Sequence, residues 1–370
     1  MRKAFTLMEL VVALAILAVV LSFAGVIFRV SIDSHRLALA NAEIMQKLRV
    51  LTDQLDADFR SLRKDADIFV VWSAVPKPGY VDPNGVVRGR GTSLLGTQGY
   101  ERFDRIMFFT TGDFQAYGRP ERSNVARICY TMARGPSADP AEPNWAPMQK
   151  PCKRMLARTQ HLLIPPTPGG GDKPLDVNGF TTEQWLKWNS QEEIDRISLE
   201  GWKRMPEIQK IDMLSVIGDI TIIKDSGVSG IESRPSREAR GVLIDPAQPA
   251  SIHSLFCQGV GQFMVQGWND RLNRWIPAVD PDEDGDLADS DFILTSDKKS
   301  LDPERNPGLW YPRQGTSLRQ PDFPVTHIDQ EHFNQIPGLG RALKFTFTLY
   351  DSRNLIKNGR TFTHVVYLDN

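Results

Sequence analysis

The sequence predicts an α+β protein: one long N-terminal helix, apolar and then amphipathic, packed on an antiparallel β-rich head with a large insertion. Three observations predict it. Leu10 to Phe28 is a nineteen-residue apolar run interrupted only by Ser22 and Gly25. No Pro or Gly follows from Val26 to Val75, and apolar residues recur at Ile44, Leu48, Leu51, Leu55, Phe59 and Leu62. Steps of three and four trace one helical face. Beyond Ile68, turn residues multiply and short segments alternate between polar and apolar.

The apolar run has the length of a membrane crossing. At 1.5 Å per residue it spans about 28 Å, close to the ~30 Å hydrocarbon thickness. It is apolar on every side, unlike a surface helix. Arg2 and Lys3 precede it, so the N-terminus is expected in the cytoplasm and the bulk of the chain across the membrane. A secretory signal would have a shorter apolar core and a small-residue cleavage site after it. Here the helical pattern continues instead, for about fifty-five residues in all.

Glu9 breaks the run at its start. A carboxylate at full membrane depth costs roughly 2.5–3.5 kcal/mol, less near the interface. It calls for a cationic partner. Cleavage before Phe5 would make Glu9 the fifth residue and create an α-amino group that a neighbouring copy's carboxylate neutralises.

Lys3-Ala4, then Phe5-Thr6-Leu7-Met8-Glu9 and an apolar helix, resembles the prepilin leader of type IV pilins and type II secretion pseudopilins. The resemblance implies cleavage between Ala4 and Phe5 by a prepilin peptidase, N-methylation of Phe5, and a role for Glu9 in assembly. It also implies a pilin-like fold, with the helix laid against the head. Such leaders usually end in Gly; this one ends in Ala4, the next smallest side chain. The expected organisation is a leader at 1–4, a transmembrane and assembly helix at 5–30, an amphipathic stalk helix at 31–66, and a periplasmic β-rich head at 67–370.

Within the head, Ile68–Trp72, Arg105–Thr110 and Val125–Met132 read as strands. Residues about 135–240, rich in Pro and Gly in places, read as elaborations inserted in a sheet. Cys257 to Trp268 reads as one strand running toward Arg274-Trp275-Ile276. Ala342–Tyr350 and Thr361–Leu368 alternate and are close enough to form a closing antiparallel hairpin. This order, with Leu51-Thr52, Leu55 and Asp58-Phe59-Arg60 in the stalk, is similar to the J-type minor pseudopilin of type II secretion. The similarity covers roughly 1–132 and 255–370. It implies a tip or initiation subunit in the inner membrane, whose partners are other minor and major pseudopilins, the prepilin peptidase, the inner-membrane secretion platform and membrane lipid. The alternatives are a minor pilin of a type IV pilus or DNA-uptake system, and a membrane-anchored calcium-dependent adhesin.

One constellation in the head suggests a metal. From Asp280 to Asp291, seven acids occur in twelve residues with no base. Asp280, Asp282, Asp284, Asp286 and Asp291 fall at loop positions 1, 3, 5, 7 and 12, with Gly285 at position 6. This is the oxygen-ligand spacing of an EF-hand Ca²⁺ loop, here without flanking helices. Three Cys are present. Cys129 and Cys152, with a loop-like stretch between them, are the favoured disulfide in an oxidising compartment. Pairings with Cys257 stay open.

The remaining composition excludes function classes. The chain has 44 basic and 45 acidic residues and a formal net charge of −1, which gives no whole-chain pull toward nucleic acid. No phosphate-binding glycine loop, H-E-x-x-H or G-x-S-x-G motif is present. His327 and His332 are not spaced as a helical metal pair. The expectation is a structural subunit, not an enzyme.

Overall fold

The computed structural model describes residues 7–71, 74–76, 100–102, 104–134, 151–169, 193–205, 242–243, 252–253, 255–269, 273–276, 308–311, 333–335 and 341–368. It begins with one uninterrupted helix, α1 (Leu7–Arg60), of 54 residues. Nothing in this stretch breaks a helix except Gly25, whose position is open on all sides. Ala40 is the first buried residue of α1. The part before it projects about 50 Å beyond the head. From Ala40 onward the expected stripe turns inward: Ile44, Leu51 and Leu55 are fully buried, Phe59 nearly so, with Leu48 and Leu62 half-buried beside them.

Fifteen strands follow among the described residues: β1 (Ile68–Val71), β2 (Ala74–Pro76), β3 (Tyr100–Arg102), β4 (Arg105–Gln115), β5 (Arg122–Arg134), β6 (Met155–Leu163), β7 (Ile194–Asp195), β8 (Val242–Leu243), β9 (Leu255–Gln258), β10 (Val260–Asn269), β11 (Arg274–Ile276), β12 (Gly308–Tyr311), β13 (Phe333–Gln335), β14 (Ala342–Leu349) and β15 (Arg360–Tyr367). One sheet runs β13-β12-β1-β4-β5-β6-β7, with β8 beside β5 and β9 beside β6. A second runs β11-β10-β14-β15, and β2 pairs with β3. The main ladders are antiparallel, and β14 and β15 form the closing hairpin, from Ala342 opposite Tyr367 to Leu349 opposite Arg360.

The stripe of α1 is shared by both sheets. Phe59 stacks on Phe108 of β4 with ring centroids 4.3 Å apart, and its ring lies 5.6 Å from Phe345 of β14. One apolar core therefore joins α1, the first sheet and the second. Asp104 adds a polar link. It accepts from the Val265 amide at 2.8 Å, and its own amide donates to the Phe263 carbonyl at 2.8 Å.

Two expectations are corrected. The segment 257–268 is not one strand but two, divided at Gly259. There φ is 81°, and a Cβ would lie 2.5 Å from the Tyr350 carbonyl oxygen. The Gly259 amide donates to the Arg154 carbonyl at 2.7 Å, and its carbonyl accepts from the Tyr350 amide at 2.8 Å. Glycine thus carries the chain from the first sheet, where β9 pairs with β6, to the second, where β10 pairs with β14. Secondly, the region at 135–240 is not only elaboration, because β6 lies within it and pairs with both β5 and β9.

A third layer covers the face of the first sheet turned away from α1. The short helix α2 (Leu199–Arg204) is capped by the Ser198 hydroxyl, which accepts from the Gly201 amide at 3.0 Å. Its Trp202 is fully buried, 5.2 Å from Phe109 of β4. The described part of the inserted region thus supplies both a strand and a cover.

Replacing Phe59 with Ala removes the ring that touches both sheets. Denaturant titration of the purified chain should show a loss of about 3–5 kcal/mol. A change below about 1 kcal/mol would contradict the shared core.

Candidate assembly site: the exposed helix and its seat on the head

The N-terminal half of α1 is exposed on all sides. Leu7 is 81% exposed and Phe28 69%, and the apolar residues between them are similarly open. The described helix is long and apolar enough to cross a membrane, and its apolar window is 0% buried within the chain. Apolar side chains on every face of a solvated helix are unfavourable; lipid or other helices relieve that cost. Glu9 falls in the first turn of α1. Ala4 and Phe5 lie outside the described residues.

The other end of α1 is pinned by polar contacts around Asp58. This residue lies beside Phe59 on the buried side and is 5% exposed. Its Oδ1 accepts from Arg158 Nη2 at 2.7 Å and from Gln54 Nε2 at 3.0 Å. Its Oδ2 accepts from Arg158 Nε at 2.7 Å and from the Tyr130 hydroxyl at 2.6 Å. Four donors satisfy one carboxylate, and the Arg158 contact is bidentate, the strong form of this pairing. Burial and the adjoining carboxylate push the Tyr130 hydroxyl well above its usual pKa. The Arg158 guanidinium is raised despite its burial, because Asp58 stabilises the charged form.

The backbone at the helix end is satisfied too. The last carbonyls of a helix have no partner within it. Here Thr110 of β4 donates from its hydroxyl to the Asp58 carbonyl at 3.1 Å and to the Ser61 carbonyl at 3.0 Å. The Thr111 amide also reaches Ser61, at 2.9 Å. Further up the helix, Asp56 meets His364 Nε2 of β15 at 2.8 Å. Lys47 donates to the Tyr350 carbonyl at 2.9 Å and pairs with Glu43 at 2.7 Å. Just past the helix, Asp65 joins Arg63 at 2.7 Å and Lys203 of α2 at 2.6 Å. Arg63, opposed by partial burial and helped by Lys203, holds the Asp65 carboxyl down at about 2.

A second buried charge cluster lies under the third layer. Asp195 of β7 accepts from Arg127 Nε of β5 at 3.0 Å and lies 3.1 Å from His161 Nδ1 of β6. All three are essentially fully buried. Burial alone would raise the Asp195 carboxyl, but Arg127 and His161 bring it below its usual value. The cluster ties Asp195 of β7 to the central strands β5 and β6.

The remaining expected sites fare differently. Asp280, Asp282, Asp284, Asp286 and Asp291 lie outside the described residues. The expected disulfide is not formed: Cys129, Cys152 and Cys257 are all free and buried. Cys129 faces Thr159 across the β5–β6 ladder. Cys152 lies beyond the start of β6, and the extended run from Thr159 back to Met155 alone covers about 13 Å. A disulfide tolerates only about 7 Å between Cα atoms. Burial raises the thiols of Cys129 and Cys257 to about 11.

The Asp58–Arg158 pair makes a measurable claim. Asp58→Ala or Arg158→Ala leaves the other charge buried alone, and each should cost about 3–5 kcal/mol in denaturant titrations. The double variant should cost less than the sum by about 1–3 kcal/mol. Strict additivity would show that the two groups do not act together.

A family model described as the prokaryotic N-terminal methylation motif matches residues 1–25. No curated protein matches the chain, and no solved structure matches it. The matched segment leads into the exposed apolar half of α1, and the rest of α1 is seated on an antiparallel head. Motif and architecture together support the type IV pilin and pseudopilin superfamily, with a membrane anchor at the N-terminus and assembly with other subunits of that kind.

Proposed function

We propose that the chain is a J-type minor pseudopilin, a structural subunit at the tip of a type II secretion pseudopilus. In this reading it is inserted in the inner membrane with its N-terminus cytoplasmic and its head periplasmic. Prepilin peptidase cuts between Ala4 and Phe5, and Phe5 is methylated. The chain then joins other minor and major pseudopilins under the control of the inner-membrane platform. It performs no catalysis; motive work comes from a separate cytoplasmic ATPase.

The observation that carries the reading is the methylation motif on a helix whose first half is wholly exposed. A subunit drawn out of a membrane into a helical assembly needs one apolar surface for both surroundings. The J-type assignment is supported by three segments named from sequence. The strand before Trp268, the Leu343–Leu349 strand and the Thr361–Leu368 strand come together as β10, β14 and β15 of one sheet. The runner-up is a minor pilin of a type IV pilus or DNA-uptake system, which uses the same leader and helix.

The N-terminus of the membrane-extracted protein provides the test. Mass spectrometry should find residues 1–4 absent and one methyl group on Phe5. An intact Met1 would overturn the pilin reading altogether. Glu9→Ala should leave membrane insertion unchanged and sharply reduce secretion of extracellular enzymes. Unchanged secretion with loss of surface pili would move the protein to the runner-up.

A further inference from the structure

The segment joining β14 to β15 lies at the end of the head that α1 reaches first. Ala40 is the first buried residue of the helix, and Glu43 and Lys47 follow within two turns. Ser352 donates to Glu43 from its amide at 2.9 Å and from its hydroxyl at 3.1 Å. Lys47 holds the Tyr350 carbonyl at 2.9 Å. The loop between Tyr350 and Gly359 is therefore fixed to α1 on the side that faces the apolar half.

Its own conformation is also fixed. Asp351 is 1% exposed and accepts from the Leu355 and Ile356 amides, both at 2.9 Å. Asn354 and Gly359 take positive φ of 54° and 61°, and Ile356 packs against the core. This arrangement consumes the only acid in the loop. Arg353, Lys357 and Arg360 are left exposed, with Leu355 43% exposed between them. Among the described residues, no ion pair holds any of these three cations.

The helix sets how far this cationic surface lies from the bilayer. Phe28 to Glu43 spans about 22 Å, and the headgroup layer extends about 5–8 Å beyond the hydrocarbon. Transmembrane helices tilt by about 20° on average and up to about 40°. The loop is offset to one side of α1, so tilt toward that side lowers it further. Extended Arg and Lys side chains then come within about one Debye length, ~8 Å, of the headgroups. Arg29 and Arg36 lie on the helix between the two. An apolar tip flanked by cations suits a surface of phosphate groups over acyl chains.

We propose that Arg353, Lys357 and Arg360, with Leu355 between them, form a docking surface for anionic phospholipid headgroups of the membrane that α1 enters. It leans the head on the bilayer until the subunit is drawn into an assembly. The inference rests on the membrane-anchor reading of α1.

Hydrogen exchange of the full chain in nanodiscs tests it. Amides of Arg353 to Thr361 should exchange at least about fivefold more slowly in discs containing phosphatidylglycerol than in pure phosphatidylcholine. The difference should vanish at high salt. It should also vanish in the triple variant Arg353→Gln, Lys357→Gln, Arg360→Gln, while β14 amides exchange alike in every sample. Equal exchange in both lipids overturns the proposal. So does protection that appears only on adding another pilin-like subunit, which would make the loop a protein interface. Failure of the anchor reading shows separately, as rapid exchange across Leu10–Phe28 in either disc.

Discussion

A carboxylate can lie in this core only because its charge is met from several directions at once. Asp58 has Arg158 on both oxygens, Tyr130 on one and Gln54 on the other. Gln54 comes from the same helix; the other two donors come from neighbouring strands of the first sheet. The apolar stripe of α1 supplies most of the attraction between helix and head, but a hydrophobic contact has little sense of register. The bidentate pair has one. It fixes both rotation and height of α1 at its last turn, and Phe59 then falls between Phe108 and Phe345. Sheet, helix and second sheet are placed relative to one another through that point.

Such a pin matters for a chain divided as this one is. About 50 Å of helix precedes Ala40, the first buried residue of α1 among the described residues. A force applied to that half reaches the head through the seat formed by residues 40–62. The polar contacts at Glu43, Lys47, Asp56 and Asp58 are spread along the seat, so no single turn carries the load. The head itself is held by a second device, Gly259, where the chain passes between sheets with a backbone no other residue adopts without strain.

The sequence made the helix legible because its signals are local. A nineteen-residue apolar run and a three-four stripe need no knowledge of the rest of the chain, and Leu7–Arg60 follows from them. The closing hairpin was equally legible, since β14 and β15 alternate cleanly. β6 was not. Its residues are mixed on both faces, with Arg158 and Gln160 on one and Thr159 and His161 on the other. What makes that pattern a central strand is Asp58, a hundred residues away, and Asp195 on the opposite side. The one local signal of the seat is Asp58 itself, an acid adjoining an apolar stripe. The break at Gly259 was hidden because both flanking segments are good strands, and only the approach of Tyr350 shows why glycine stands between them. The expected disulfide failed for a related reason: separation in sequence gives no account of strand register.

The central claim is that residues 40–60 of α1 belong to the head's cooperative unit while the preceding turns do not. Native-state hydrogen exchange of the full chain in detergent micelles addresses it most directly. Amides from Leu51 to Phe59 should open only with β5 and show the same free energy of exchange, whereas those from Asp33 to Leu39 should exchange faster. If Leu51–Phe59 exchanges as fast as Asp33–Leu39 while β5 stays protected, the helix is not seated on the head as described.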